Sequence, residues 1–503
     1  MGFISDIIEK LDPYTGIIIL ALAVLITIFA GFSKGKRTRV FIIILNALSY
    51  AAALYMVIYS FGEYGSRTGF LISLGMPELI LSCIILFCGL NVLFFISISR
   101  FTDDSFIRII ILLTFSLISS LSLIMADNMI FVFTALTITI LSIFTLISSL
   151  DRESAGSREA IGRFGMRTFL SAILVFLGFS VLVGAGGIKS LSGYAGIQSA
   201  ADPLLLISAI VFICAIYLYF FLYPFQGLFL KLARKINSAS VSVLWFLYMP
   251  AGIILLIKFD GFFNIFSEKT NIYGFIAITV FAFLNLFGAG IGAIRAASLR
   301  RILSMFLLFE IGVTVLNRSL GSMDGMPGYY AGYYDLAVLV IILLVFLPLY
   351  LLIMLLEKNT GKDMLAGTGG LIHKNAYLSI CSIILFLWWF AANIYIFPFE
   401  KFISGSGPMS YGPRGLVLFI GYIMALLLMA VNVSKMILVL FKKPPAADAY
   451  KTASVPRIFY VYTAVFVLLA LSVLILVIIG KMGIGQGCLE IWGSSFDIFS
   501  NGN

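Results

Sequence analysis

Residues 221–229 read FLYPFQGLF and residues 395–403 read YIFPFEKFI, each late in a long apolar run. In both, an aromatic residue precedes proline, phenylalanine, and then glutamine or glutamate. A proline removes a backbone donor and breaks a helix, and backbone groups freed at membrane depth need a cover of protein or water. Pro224 and Pro398 therefore predict either a transport path through two related halves or two unrelated kinks.

The residues around these stretches are those of an integral membrane protein. The chain is 61% hydrophobic and 11% charged, with a mean hydropathy of +1.12. Apolar runs of about 20 residues, the length that crosses the bilayer core, predict about fourteen transmembrane helices. The predicted spans are 15–32, 40–60, 77–98, 106–126, 128–149, 166–184, 203–223, 240–258, 272–294, 300–317, 334–356, 375–397, 414–440 and 457–480.

The lysines and arginines predict the orientation of these spans. Of the 33 basic residues, 23 fall in alternate connections, which the positive-inside rule assigns to the cytoplasm. Those connections are 34–39, 100–108, 152–167, 231–235, 295–301, 358–374 and 442–457. The sequence thus predicts a multi-pass protein of the cell membrane with both termini outside, and it attributes the net charge of +10 to topology rather than to nucleic-acid binding.

Neither metal nor cofactor chemistry is indicated. The five cysteines lack the paired spacing of a metal site, and His373 is the single histidine. We expect no metal and no cofactor bound by this chain. Trp388 and Trp389 are expected to pack within the protein or to face lipid.

Charged residues inside membrane spans are costly and usually face a protein interior or a water-filled path. Glu310 lies mid-span, Lys435 lies nearer the predicted cytoplasmic end, and Glu400 and Lys401 follow the break at Pro398. A buried lysine in such a place can take up and release a proton near neutral pH, because desolvation lowers its pKa and a nearby carboxylate raises it again. Alternatively, Lys435 reaches the interface, Glu310 pairs with a basic residue of a neighbouring helix, and Lys401 belongs to an external loop.

Taken in order, several segments resemble the antiporter-like proton-channel subunits of respiratory complex I and its relatives. The segments are 150–187, with a basic stretch, an apolar helix and a glycine-rich exit, then 221–226 with 237–246, then 287–312, and finally IFPFEKF at 396–402. The first segment is most similar to subunit N, also called subunit 2. The resemblance extends over roughly residues 70–445.

The resemblance implies an all-α membrane fold of about 14 helices, with two inverted five-helix repeats and broken helices 7 and 12. It implies N-terminal helices in 1–105, a first repeat in 106–258, a second repeat in 272–440, and a last helix and tail in 441–503. The implied function is that of a non-redox membrane-arm subunit in which electron transfer elsewhere drives proton translocation. The implied partners are neighbouring antiporter-like and small transmembrane subunits.

In the second half, the resemblance implies a proton pathway. Lys401 matches the lysine of the broken twelfth helix, with Glu400 beside it. Glu310 occupies the place of a central histidine, and Arg300 and Arg301 match a basic pair at the start of helix ten.

In the first half, the chain departs from the family pattern. A glutamate is expected near Thr139, a lysine at Tyr219, and a lysine near Pro250, and none of these positions is ionisable at neutral pH. We therefore expect a degenerate first half-channel.

Other classes of function remain open from the sequence. The chain could be a subunit of a multi-subunit cation/proton antiporter without a redox partner, or a stand-alone solute carrier. The sequence leaves open the electron donor and acceptor, and the choice between protons and sodium ions.

Overall fold

A computed structural model of the protein describes residues 14–33, 35–63, 67–68, 73–74, 76–98, 102–151, 155–186, 203–259, 263, 272–321, 335, 338–350, 376–396 and 413–441. The chain divides into two compact units, with the boundary between Ile272 and Tyr273. This boundary lies at the start of the second repeat implied by the resemblance. The finer division of the chain stays a prediction.

The described part of unit 1 consists of nine helices and two strands of two residues each. The strands β1 (Arg67–Thr68) and β2 (Ser73–Leu74) are antiparallel. The helices are α1 (Thr15–Ala30), α2 (Lys36–Glu63), α3 (Met76–Ile98), α4 (Asp103–Met125), α5 (Met129–Leu150), α6 (Ala155–Gly186), α7 (Pro203–Tyr219), α8 (Gln226–Lys235) and α9 (Ser238–Lys258).

Unit 2 contributes five described helices. They are α10 (Ile272–Arg295), α11 (Leu299–Gly321), α12 (Val338–Tyr350), α13 (Ala376–Ile396) and α14 (Pro413–Phe441). Across the described residues of both units, 8 helices are long and apolar enough to cross a membrane. The predicted multi-pass helical fold is confirmed, whereas the last predicted span, 457–480, and Pro398 lie outside the described residues.

The two classes of helix in unit 1 follow from their sequences. Nearly every residue of α9 is apolar or small, and α9 is almost wholly buried among its neighbours. It contains a π-helical turn, Leu244–Tyr248, directly before Met249 and Pro250. In contrast, α2 exposes many of its large apolar side chains, such as Leu48 and Tyr55, as expected of a helix that faces lipid.

The seventh span is interrupted where the sequence predicts it. Helix α7 ends at Tyr219 and α8 begins at Gln226. Between them Phe221 has a φ of 55°, and the Tyr223–Pro224 peptide bond is cis. The break at Pro224 therefore separates α7, which lies in the predicted span 203–223, from α8, which follows that span.

Two boundaries predicted from the sequence differ in the structure. The basic connection 152–167 is helical from Ala155, where Glu159 and Arg163 form an i,i+4 ion pair that favours the helix. The predicted span 300–317 ends before Arg318, which belongs to the last turn of α11. A basic side chain in a last turn interacts favourably with the helix dipole, so hydropathy alone ends α11 too early.

A buried polar network joins the lipid-facing helices α1 and α2 to α4. The Asn46 side-chain amide donates to Thr27 Oγ1 at 2.9 Å, and its carbonyl accepts from Thr114 Oγ1 at 3.0 Å. Tyr50 adds a hydroxyl contact of 2.6 Å to Thr114. Hydrogen bonds between helices hold such segments together where lipid supplies no hydrophobic driving force.

We predict that Asn46→Leu lowers the thermal stability of the membrane-extracted protein. The substitution removes both inter-helix hydrogen bonds of the Asn46 side chain, a loss of about 1–2 kcal/mol. The measurement is the apparent melting temperature of the solubilised protein. Leu48→Ala, at a largely exposed site on the same helix, is the control, and equal melting of the two variants would contradict the prediction.

Candidate functional site

Unit 2 holds a carboxylate in the middle of its second helix. Glu310 lies halfway along α11 and is 1% exposed. Its Oε1 accepts hydrogen bonds from the indole nitrogen of Trp389 and, at 2.7 Å, from the amide nitrogen of Asn393. Trp389 and Asn393 are four residues apart on α13, so they share one face of that helix.

The two donors are themselves held in place. The Trp389 ring stacks on Phe306 with 4.4 Å between centroids and 3° between planes, and Phe306 precedes Glu310 by one turn of α11. The Asn393 amide also donates to the Trp389 carbonyl at 3.1 Å. From α14, the Tyr422 hydroxyl donates to the backbone carbonyl oxygen of Asn393 at 3.0 Å. Three helices thus fix the position of Glu310 Oε1.

The second oxygen of this carboxyl group has a different environment. Glu310 Oε2 and Asn393 Oδ1 are buried without a hydrogen-bond partner in the described part of the chain. Glu310 also forms no ion pair there, so the alternative of a basic partner on a neighbouring helix is not observed. The carboxyl group is therefore held by neutral donors on one side and is open to a further partner on the other.

The predicted basic residues of unit 2 lie apart from Glu310. Arg300 and Arg301 are in the first turn of α11, about 15 Å along the helix from Glu310. Lys435 Nζ on α14 donates to the carbonyl oxygens of Ile294 at 2.7 Å and Ala296 at 3.0 Å.

These carbonyls lie at the end of α10, where helical partners are lacking, so Lys435 caps that helix. The structure thus brings Lys435 and the arginine pair to one end of unit 2 and keeps them from the mid-helix carboxylate. Glu400 and Lys401, the other predicted pathway residues, lie outside the described residues.

In unit 1, Tyr219 stands where the resemblance leads us to expect a lysine, and it pairs with Tyr248. The rings of Tyr219 and Tyr248 stack with 4.4 Å between centroids and 7° between planes. Each hydroxyl donates to the backbone carbonyl of the other tyrosine, at 3.1 and 2.5 Å. Both side chains are buried, and Phe164 packs edge-on against Tyr248. Each of the two hydroxyl groups therefore has its hydrogen-bond acceptor within the protein.

The other two family positions are equally uncharged. Thr139 is buried, and its hydroxyl donates to the Ala135 carbonyl one turn earlier at 2.7 Å. Pro250 lies buried in α9, directly after the π-helical turn. Thr139, Tyr219 and Pro250 are therefore positions occupied by packing and local hydrogen bonds.

Sequence reasoning missed two ion pairs and the two donors to Glu310. Lys258 Nζ lies 3.7 Å from Glu78 Oε1, with side chains only 9% and 19% exposed. Arg318 pairs with Asp335, and both side chains are 1% exposed. In each case a basic residue just past an apolar run could have signalled a buried partner. The described residues include no group of three histidines, cysteines or acids that could hold a metal ion.

Relatives and solved structures are similar to this chain at low identity. No protein-family model matches it. It is 24% identical over 217 residues to NADH-quinone oxidoreductase subunit N of Azoarcus sp., covering 42% of this chain and 43% of that protein. It is 24% identical over 286 residues to NADH-quinone oxidoreductase subunit N 2 of Acidobacterium capsulatum, covering 55% and 56%. The chain spans about half the length of the curated relatives it matches.

The fold has a broader likeness. A chain of respiratory complex I from Thermus thermophilus superimposes with a TM-score of 0.72 at 14% identity, covering 93% of this chain and 98% of that one. A chain of the archaeal membrane-bound sulfane sulfur reductase gives 0.72 at 14% identity, covering 92% and 95%. A chain of the Mrp complex from Dietzia sp. gives 0.72 at 13% identity, covering 93% and 96%. The resemblance drawn from the sequence is thus confirmed in relatives and in fold.

We predict that Gly252→Ala destabilises the protein through the tyrosine pair. A Cβ atom at Gly252 would lie 2.5 Å from Cε1 of Tyr219 and 2.6 Å from the ring of Phe220. Such overpacking typically costs about 1–3 kcal/mol. The measurement is the melting temperature of the solubilised protein. Gly227→Ala, where a Cβ meets nothing within 4 Å, is the matched control, and equal melting of the two variants would count against the prediction.

Proposed function

We propose that this chain is a membrane-arm subunit of a complex I-like energy-converting oxidoreductase, and that its second unit carries the proton. The observation that carries the proposal is Glu310, an acid buried mid-helix without a counter-charge among the described residues. Ionisable groups at membrane depth usually mark ion paths and proton relays. The likeness to membrane subunits of three energy-converting or ion-translocating complexes supports the same function.

The described residues suggest how the acid works. Trp389 and Asn393 hold Oε1, so proton uptake and release take place at Oε2. The donors are neutral, so the carboxyl group changes its charge without breaking an ion pair. Lys401 is the proposed partner group of the relay, at the predicted break of the twelfth span.

Unit 1 takes the complementary role in this proposal. The satisfied Tyr219–Tyr248 pair holds no exchangeable charge at neutral pH, so unit 1 mainly builds the membrane arm. The neighbours in the arm are other antiporter-like and small transmembrane subunits. The basic connections face the cytoplasm and both termini lie outside. The redox centres reside in other subunits.

A second candidate is a subunit of a multi-subunit cation/proton antiporter. The Mrp complex chain superimposes as well as the complex I chain does, with the same TM-score of 0.72. The two candidates differ in their partners. Co-purification of iron–sulfur or quinone-binding subunits supports the first, and their absence from an otherwise intact complex supports the second.

We predict that Glu310→Gln and Lys401→Ala each reduce the number of protons moved per electron in the assembled complex. Glutamine keeps an acceptor for Trp389 and Asn393 but cannot exchange a proton. The measurement is proton uptake into vesicles together with electron-transfer rate. Glu159→Gln, which removes an exposed acid of unit 1, is the control. An unchanged proton-to-electron ratio in both pathway variants, with normal assembly, would refute the proposal.

Tyr219→Phe is expected to leave the proton-to-electron ratio unchanged. The variant loses one hydroxyl bond to the Tyr248 carbonyl but keeps the stacked rings, so only stability decreases, by about 1 kcal/mol. The same vesicle assay measures the ratio. A lowered ratio at full assembly would show that unit 1 still conducts protons through its tyrosines.

A further inference from the structure

Beyond Glu310, the same face of α11 carries a buried asparagine, Asn317. Asn317 is 4% exposed, and neither its amide oxygen nor its amide nitrogen has a hydrogen-bond partner in the described part of the chain. Buried polar atoms of native proteins are satisfied by protein groups or by ordered water in more than nine cases of ten. An asparagine with both amide atoms open inside a membrane helix bundle therefore needs a specific explanation.

The spacing along α11 relates Asn317 to Glu310. Seven residues of α-helix make nearly two turns, so the two side chains leave the helix within about 20° of each other and about 10.5 Å apart. Thr314 lies between them, with its hydroxyl bonded at 3.0 Å to the Glu310 carbonyl. Glu310 Oε2, the oxygen without a partner, and the Asn317 amide thus belong to one polar stripe on α11.

The end of the stripe is fixed by a buried ion pair. Arg318 follows Asn317 in the last turn of α11 and binds the carboxylate of Asp335. Both side chains are 1% exposed. Arginine stays protonated in proteins, so this pair is a permanent anchor rather than a proton carrier. The ion pair fixes the rotation of the last turn of α11 about its axis. The Asn317 side chain is thereby kept directed into unit 2.

We propose that ordered water connects Glu310 Oε2 to the Asn317 amide, and that this branch leads the proton from Glu310 to the C-terminal end of α11. Asn317 is then a pathway residue that orients water, and Arg318 with Asp335 is a positioning pair. The inference rests on the proposed function of unit 2. It adds the direction in which the proton leaves Glu310, and by the predicted orientation that end is the outer face.

The proton balance of the step is simple. Glu310 releases a proton to the water at Oε2, and that proton moves along hydrogen-bonded water past Asn317 to the end of the helix. The carboxylate regains a proton from the opposite side of unit 2 before the next cycle. Asn317 gives and accepts hydrogen bonds without changing its own charge, and Arg318 and Asp335 keep theirs.

The test compares substitutions at Asn317 in the whole assembled complex. Asn317→Leu has a similar volume but no polar atoms, and it is expected to reduce the protons moved per electron by the same fraction as Glu310→Gln. Asn317→Gln retains the amide and is expected to keep most of the ratio. Because both groups serve one branch, the double variant Glu310→Gln/Asn317→Leu should fall no lower than either single variant. If Asn317→Leu does not assemble, the smaller Asn317→Val replaces it.

Asn285→Leu is the matched control. Asn285 is also a buried asparagine of unit 2, but its amide donates to the Leu308 carbonyl at 2.7 Å and so has a structural partner. We expect this variant to lose stability but to keep the proton-to-electron ratio.

The outcomes separate the two proposals. If Glu310→Gln lowers the ratio and Asn317→Leu does not, the branch is refuted and the proposed function stands. If Asn317→Leu and Asn317→Gln lower it equally, or the double variant is additive, Asn317 acts through structure alone and the branch is again refuted. If neither Glu310→Gln nor Asn317→Leu changes the ratio, both proposals fall.

Discussion

The hydrocarbon core offers no water, so every polar group inside this protein must find a protein partner or a hydrated path. The described residues meet that constraint in several ways. Lys435 directs its ammonium group to the orphan carbonyls at the end of α10, and Arg318 pairs with Asp335. Tyr219 and Tyr248 satisfy each other. Glu310 Oε2 is one of several buried polar atoms without a hydrogen-bond partner among the described residues, and it belongs to a carboxyl group that has no ion pair there.

The two units satisfy this constraint in different ways. At the positions where the resemblance implies charges, unit 1 has a threonine bonded to its own helix, one tyrosine of the stacked pair and a proline, all buried. In the described part of unit 1, the buried Lys258 forms an ion pair with Glu78, and both residues lie at helix ends. Among the described residues, unit 2 keeps an acid in mid-helix without a counter-charge. Under the proposed function, unit 2 carries the chemistry while unit 1 keeps the fold, because packing can replace charges wherever protons do not pass.

Hydropathy predicted the multi-pass helical fold, because apolar length is a local property of the sequence. The break at Pro224 was equally local. The partners of Glu310 were not, because Trp389 and Asn393 lie about eighty residues away and read as ordinary helix residues. The Arg318–Asp335 ion pair was not predicted either, because hydropathy treats a basic residue after an apolar run as the start of a loop. Long-range pairing is what the sequence alone could not supply.

The contrast between two carboxylates of unit 2 shows which can change charge. Asp335 is bound by a guanidinium group that remains positive, so protonating it would leave an unpaired cation in the interior, at a cost of several kcal/mol. Glu310 is bound by an indole and an amide, which are neutral donors, and protonation at Oε2 disturbs neither bond. Glu310 can therefore change its charge without breaking an ion pair, which Asp335 cannot, and this difference is what proton exchange requires.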